Sequence, residues 1–184
     1  MRRILALIAL IVVGSLALVT LTPGGALAQT SEPTALYKSY LPMIAGPART
    51  QSPAEDAIAS QILSLVNSER AKAGCAPVTL DARLMSAAQG HSEDMALNDY
   101  FSHTSLDGTT ASQRVTRAGY DWSTTGENIA AGYGSAAQVM EGWMQSDGHR
   151  ANILRCAYTN LGVGHYYEAG DSYGHYWTQV FARP

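Results

Sequence analysis

Two polar residues in this sequence, His103 and Glu127, combine reactive side chains with positions at which those side chains could serve a ligand. His103 lies in a polar loop that follows the aromatic pair Tyr100 and Phe101. A histidine in a loop is free to reach a ligand, whereas one on a helix face is usually packed. Glu127 stands at the start of an apolar stretch, where a carboxylate has to be hydrogen-bonded or paired. Each residue therefore either binds a ligand or makes a purely structural contact within the protein.

Two further histidines, His149 and His91, raise the same question. His149 lies in the segment 146–154, which follows a predicted helix. In one interpretation this segment is a helix stop and a tight turn, in which His149 and Arg150 cap free carbonyls. In the other it brings a second imidazole to the site. His91 falls on the apolar stripe of a predicted helix, so we expect a core histidine.

The sequence contains none of the familiar short catalytic signatures. It has no H-E-x-x-H zinc motif, no G-x-S-x-G nucleophile motif and no phosphate-binding glycine loop. It also lacks a second cysteine pair for zinc. The run from Gly132 to Ser135 does not have the spacing of a nucleotide fingerprint and is interpreted as a turn into a helix.

Four helices are predicted to position these residues. The first begins at Ser52, where Ser-Pro-Ala-Glu is typical of a capped helix start, and ends at Gly74. The second begins at Asp81, and a shorter third helix spans about 111–118. The fourth begins at Ser135 and carries an unbroken apolar face that includes Trp143 and excludes Glu141, so we expect Trp143 inside and Glu141 in solvent.

The last third of the chain changes from helical spacing to alternation. Apolar and polar residues alternate over 161–167 and again over 173–181, with Gly170-Asp171 as a turn between them. This pattern predicts a β-hairpin. Helices followed by strands indicate an α+β fold.

The N-terminus has the pattern of an export signal. A positive start precedes an apolar run, a Pro-Gly-Gly break and an Ala-Leu-Ala cleavage site. We expect residues 1–28 to be a signal peptide, 29–53 a flexible Pro/Ser/Thr-rich linker and 54–184 the folded domain, secreted to the exterior. The alternative is an uncleaved anchor, since about 18 apolar residues just span a bilayer.

The net charge of the mature chain indicates which kinds of partner are unfavourable. Removing Arg2 and Arg3 lowers the basic residues from 12 to 10 against 15 acidic residues, a net charge of −5. This mildly acidic surface lacks a basic cluster, which argues against nucleic acid and anionic membranes as partners. No other stretch is apolar enough to cross a membrane, and we expect a monomer.

The two cysteines, Cys75 and Cys156, are predicted to form a disulfide. An even pair in a small exported domain is typically bonded, and this bond would tie the helices to the hairpin. The alternative is two buried thiols that pack as small apolar residues.

The order of short motifs resembles the CAP superfamily (cysteine-rich secretory proteins, antigen 5 and pathogenesis-related proteins), or SCP-domain proteins, in its bacterial form. The resemblance covers about residues 56–183. It is carried by Asn67-Ser68-Glu69-Arg70, His91-Ser92-Glu93-Asp94-Met95, Tyr100-Phe101-Ser102-His103, Asp107-Gly108, Gly119-Tyr120, Gly126-Glu127-Asn128-Ile129-Ala130, Trp143-Met144-Gln145-Ser146-Asp147-Gly148-His149-Arg150, Leu161-Gly162-Val163-Gly164 and Tyr176-Trp177-Thr178-Gln179-Val180-Phe181.

The resemblance implies a three-layer α-β-α sandwich with a large cleft. In eukaryotic members the cleft carries two histidines and two acidic residues that can hold a divalent metal. His103 and Glu127 match two of these four positions. Ser146 and Tyr176 occupy the other two, so the four-residue metal site is not complete in this chain.

His149 is the expected replacement for the missing histidine, and Tyr176 would add a hydroxyl. The predicted cleft therefore contains His103, Glu127, His149 and Tyr176, with His91, His165 and His175 outside it. His103, His149 and Glu127 are a candidate zinc ligand set. Adjacent strand residues face opposite ways, so His175 cannot substitute for Tyr176.

The family indicates a fold more firmly than a function. We expect an extracellular module that binds a small molecule, a lipid or an extracellular protein in its polar cleft, with no required cofactor. A second hypothesis is a metal-assisted hydrolase of extracellular peptide or cell-wall material, with His103 and Glu127 as its catalytic candidates. A third is a cell-surface interaction domain whose cleft is a relic.

Overall fold

The computed structural model describes residues 50–184, which all belong to one compact unit. The predicted signal peptide and nearly all of the predicted linker lie outside the described residues. Within residues 50–184 no helix is long and apolar enough to cross a membrane. The elements are, in chain order, α1 Pro53–Lys72, β1 Thr79–Leu80, α2 Ala82–Leu97, α3 Ala111–Arg117, β2 Thr124–Ala131, α4 Ala136–Gln145, α5 Asp147–Ile153, β3 Asn160–Tyr167 and β4 His175–Arg183.

The helix starts are those predicted from capping residues. Ser52 and Glu55 form a capping box, in which the Ser52 N–H donates to Glu55 Oε2 at 2.6 Å. Asp81 caps α2 by accepting the Arg83 N–H at 2.9 Å. Ser135 likewise caps α4. These local hydrogen bonds satisfy free N–H groups of the first turn, so the helix starts are determined by short stretches of sequence.

The four strands form one mixed sheet in the order β1-β3-β4-β2. The predicted hairpin is confirmed as the antiparallel pair β3–β4, with β1 parallel to β3. β2 pairs antiparallel with β4 alone and is therefore an edge strand of the sheet. The sequence indicates the apolar stretch of β2 but not that it forms a strand.

Helices cover both faces of the sheet, which confirms the predicted α+β fold with three layers. One core joins α1, α4 and α5 to Leu161 and Val163 of β3 and to Trp177 and Phe181 of β4. Two smaller clusters lie on the other face against α2 and α3. Their members are Leu84, Ala88, Val115, Tyr120, Val180 and Ala182 in one, and Met95, Ala96, Ile129 and Tyr176 in the other.

α2 lies directly on β3 because the strand has glycines where it meets the helix. A Cβ on Gly162 would come within 2.2 Å of the Leu84 carbonyl, and one on Gly164 within 2.3 Å of the Ala88 oxygen. Any side chain at either position would push the helix outward. This close approach fixes the height of α2 over the sheet, and with it the position of the loop that follows α2.

A disulfide joins Cys75 to Cys156, as predicted, with the two Cα atoms 4.9 Å apart. It connects the segment after α1 to the segment before β3. The fourth helix stops at Gln145, as one interpretation of the segment 146–154 expected, but the tight turn of that interpretation is not formed, because the chain continues as the separate short helix α5. Ser146 is extended, with φ −99° and ψ 124°, so the helix breaks at one residue and restarts.

Candidate functional site

The centre of the site is a contact between a loop histidine and a strand carboxylate. Nδ1 of His103 lies 2.8 Å from Oε1 of Glu127. The Glu127 side chain is 3% exposed, whereas the His103 side chain is 54% exposed. A carboxylate can only accept, so His103 donates from Nδ1 and its Nε2 is left as the exposed polar group of the pair.

Arg114 of α3 neutralises the same carboxylate from the other side. Its guanidinium donates to Glu127 Oε2 at 2.8 Å and to the His103 backbone oxygen at 2.9 Å. It also donates to Ser105 Oγ and to the Thr109 oxygen. Arg114 therefore ties the loop that carries His103 to the strand that carries Glu127.

These neighbours determine the charge of Glu127. Burial by itself raises the pKa of Glu127, but the hydrogen bond from His103 and the charge of Arg114 outweigh it and hold the pKa below its usual value. Glu127 is therefore ionised at neutral pH. An ionised acceptor fixes the tautomer and the ring orientation of His103.

His91 of α2 lies beneath this pair. It is fully buried, as predicted for a core histidine, and its Nε2 donates to the Ser102 oxygen at 3.0 Å. The same nitrogen is 3.9 Å from Glu127 Oε1. His91 is thus a buried residue that does not line the exposed cleft, and it supports both the Glu127 carboxylate and the loop from inside. Burial lowers the pKa of His91 to about 4, so the ring is neutral.

His149 approaches from the opposite helical layer, on α5. Its side chain is half-buried, and its pKa is lowered first by burial and then by repulsion from His103 when both rings are protonated. An amide network holds this turn of α5 against β2. Asn128 Nδ2 donates to the His149 oxygen at 3.1 Å, and Asn152 Nδ2 donates to Asn128 Oδ1 at 2.8 Å. His103 and His149 are thus neighbours at one edge of the sheet.

Gly126 makes this packing of α5 possible. A Cβ at this position would lie 2.4 Å from the Tyr158 hydroxyl oxygen and 2.9 Å from Asn152 Oδ1. Asn152 Nδ2 also donates to the Glu127 backbone oxygen at 3.2 Å. The glycine before Glu127 therefore lets α5 approach the edge strand closely enough to place His149 beside the site.

Tyr176 is on the same sheet face as Glu127 but is not part of this contact, which corrects the predicted set. Tyr176 pairs with Ala131, whereas Glu127 pairs with Val180, four residues or about 13 Å along the strand. The Tyr176 ring is fully buried beside Met95 and Ile129. Burial, followed by the charge of Asp171, raises the pKa of its hydroxyl.

His165 and His175 lie outside the site, as predicted. Both are on the sheet face of Trp177, and Nε2 of His165 is 3.0 Å from Nδ1 of His175. Register and alternation place them on the face opposite to Glu127.

The fourth predicted helix packs as expected. Trp143 is 1% exposed, and its indole N–H donates to the Ile129 oxygen at 3.3 Å. Glu141 is exposed, accepts from Gln145 and lines an open concavity of about 350 Å³ beside α4. Asp147, one residue after the position of the family's second acid, points to solvent and pairs with Arg150. Neither acid joins His103 and Glu127.

The donors do not form the zinc set predicted from the sequence. Both oxygens of Glu127 are already engaged, one by His103 and one by Arg114. Over residues 50–184 no group of three or more His, Cys, Asp or Glu side chains is arranged to hold a metal ion. Glu127 serves instead to orient His103, so the expected ligand set of His103, His149 and Glu127 is not assembled.

Comparison with known proteins identifies the family. The profile of the cysteine-rich secretory protein family, CAP, matches residues 63–181. The chain belongs to the CAP family. It is 38% identical over 121 residues to YkwD of Bacillus subtilis (strain 168), which covers 66% of this chain and 45% of YkwD.

Two solved CAP-like structures support the assignment of the fold. An extracellular protein containing an SCP domain from Bacillus anthracis is 34% identical, with a TM-score of 0.64 over 76% of this chain and 45% of that one. An outer surface protein of Borrelia burgdorferi shares the fold at 20% identity, with a TM-score of 0.62 over 73% of this chain and 96% of that one. The chain spans less than half the length of YkwD and of the Bacillus anthracis protein.

Two site residues, Arg114 and Asn152, were missed by sequence reasoning. The sequence required a partner for a buried Glu127 but did not identify it. Arg114 gave one signal, since it is a charged residue beside Val115 in a short amphipathic helix. Asn152 gave none, because its role depends on where α5 meets β2.

Proposed function

We propose that this CAP protein is an extracellular binding domain that holds a small amphiphilic ligand through a hydrogen bond to Nε2 of His103. The observation that carries this proposal is the 2.8 Å contact between His103 Nδ1 and Glu127. It fixes the ring while leaving Nε2, the acceptor of a neutral imidazole, at the exposed end. The group that fits is a hydroxyl or an amide N–H.

The loop around His103 supports an apolar body on that ligand. Phe101 is 43% exposed and Leu106 is 59% exposed, and they flank His103 in sequence. Two large exposed apolar side chains within three residues of one oriented acceptor suit a molecule with a hydroxyl head and a hydrocarbon body, such as a lipid alcohol. His149 would border the head group from the α5 side.

An extracellular location is part of this proposal. It rests on the signal-like pattern of residues 1–28 and on the relatives, since the Bacillus anthracis protein is described as extracellular. N-terminal sequencing of the exported protein should give Gln29 as its first residue. Recovery of the chain in membranes with Met1 retained would contradict this.

Binding can be tested with a ligand pair that differs by one hydrogen-bond donor. A long-chain alcohol and its methyl ether are titrated into the mature protein while the imidazole resonances of His103 are followed by NMR. The alcohol should bind about tenfold more tightly, because one hydrogen bond contributes about 1–1.5 kcal/mol.

A His103→Gln variant should lose that preference, while the matched control Glu141→Gln on the surface of α4 should keep it. Equal affinities for the alcohol and the ether in the wild-type protein, or an unchanged preference in His103→Gln, would refute the proposal.

One observation favours a second candidate, a hydrolase. An imidazole held by a buried carboxylate can act as a general base, with Nε2 taking a proton from water. Glu127→Gln should then abolish hydrolysis of a peptide or cell-wall substrate, and the reaction should not depend on added metal. Lipid-alcohol binding without turnover of purified cell wall would exclude this candidate.

A further inference from the structure

Two histidines outside the cleft form a close pair on the β3–β4 hairpin. Nε2 of His165 is 3.0 Å from Nδ1 of His175, and the rings are nearly parallel, with centroids 5.3 Å apart and 20° between their planes. They lie on neighbouring antiparallel strands, diagonal to each other in the register. Neither histidine takes part in the ligand binding or the hydrolysis considered above for His103 and Glu127.

Aromatic neighbours hold both rings in place. The His165 ring packs on Trp177 with centroids 4.0 Å apart, and Trp177 is 1% exposed and donates its indole N–H to the Tyr133 oxygen at 2.7 Å. The His175 ring packs on Tyr167 at 4.7 Å. Both histidines are half-buried, so they stay accessible from solvent. A pair on rigid strands, backed by packed rings, is pre-organised to bind a ligand.

We propose that His165 and His175 bind a divalent transition-metal ion of square-planar or tetragonal preference, Cu²⁺ or Ni²⁺. At a metal–nitrogen distance of about 2.0–2.1 Å, nitrogens 3.0 Å apart subtend about 94° at the metal. An angle near 90° with imidazole ligands is typical of Cu²⁺ and Ni²⁺.

Metal binding displaces the proton between the two facing nitrogens, and the proton stays on the pair, so the total charge of the two rings does not change. In the hydrogen bond one of the two facing nitrogens carries a proton and the other accepts it. Metal binding needs both facing nitrogens unprotonated, so the donor ring moves its proton to its outer nitrogen.

The rest of the coordination sphere is left to solvent. Within residues 50–184 no third His, Cys, Asp or Glu completes a metal-binding group with these two. The site is therefore open, with water in the remaining positions, and should exchange its metal readily.

The test titrates Cu²⁺ into the metal-stripped mature protein. One equivalent should bind saturably, with an electron paramagnetic resonance spectrum showing two imidazole nitrogens. The bound ion should quench the fluorescence of Trp177, because its ring packs on His165. His165→Gln and His175→Gln should each lose saturable binding, whereas His103→Gln in the cleft should retain it.

Thermal melting without metal checks that each variant is folded. In folded protein, unchanged Cu²⁺ binding by His165→Gln and His175→Gln would overturn the proposal. Loss of binding in His103→Gln alone would also overturn it, because the ion would then lie in the cleft. Neither result bears on the lipid-alcohol proposal, which is measured without metal.

Discussion

Replacing Glu127 with Gln should destabilise the domain strongly, because it leaves a buried guanidinium without its counter-charge. The Arg114 side chain is 6% exposed and the Glu127 side chain 3% exposed, so water cannot take over the lost interaction. Removing one partner of a buried ion pair costs about 3–5 kcal/mol. Arg114 keeps neutral acceptors on His103, Ser105 and Thr109, so we expect the lower end of that range.

Urea denaturation monitored by tryptophan fluorescence measures this loss. A cost of about 3 kcal/mol with a slope of about 1.5 kcal/mol per molar lowers the urea midpoint by about 2 M. The matched control is Glu141→Gln, an identical change on the exposed face of α4, which should stay within about 0.5 kcal/mol of wild type. Equal midpoints for the two variants would show that the Arg114–Glu127 pair is not desolvated, and the argument for an oriented His103 would fail.

The same variant should change the response to acid. The pKa of Glu127 is held below its usual value in the folded protein, so its contribution to stability is present above the unfolded pKa and is lost as the pH falls through the folded one. Glu127→Gln has no such carboxylate to protonate. Its stability should therefore fall less steeply than wild type below about pH 4.5.

Three further outcomes follow from single features of the fold. Replacing Cys75 and Cys156 by Ser should cost about 4.5 kcal/mol in urea, since the bond closes a loop of 81 residues. Trp143→Ala should cost about 3–5 kcal/mol by leaving a cavity, while Glu141→Ala is neutral within about 0.5 kcal/mol. Burial lowers the pKa of His91 to about 4, so His91 takes up a proton in the unfolded chain at a higher pH than in the folded protein. The free energy of unfolding should therefore fall as the pH drops from about 6.5 to 4, and it should fall less in His91→Gln.

The parts of the fold that sequence predicted are those set by neighbours along the chain. The capping box of Ser52 and Glu55 and the cap at Asp81 involve residues within one helical turn. The hairpin follows from alternation alone. The break at Ser146 shows the limit of such reasoning, because a helix restart after one extended residue looks like a stop when only the sequence is available.

The candidate site was predictable only in part, and the reason is geometric. Alternation along β4 correctly separates His175 from Tyr176 by face. It contains no information on position along the partner strand, and the register places Tyr176 four residues away from the neighbour of Glu127. The contact of Arg114 with Glu127 depends on the packing of α3 on β2, which no local sequence pattern predicts.

The edge position of β2 explains how the site brings two helical layers together. An edge strand exposes backbone groups that need partners, and α5 supplies one when Asn152 donates to the Glu127 oxygen. On the other side, Arg114 neutralises the carboxylate of the same residue and His103 donates a hydrogen bond to it. Glu127 thus takes its backbone partner from one layer and its side-chain partners from the other. An interior strand would have neighbours on both sides, and His149 could not lie next to His103.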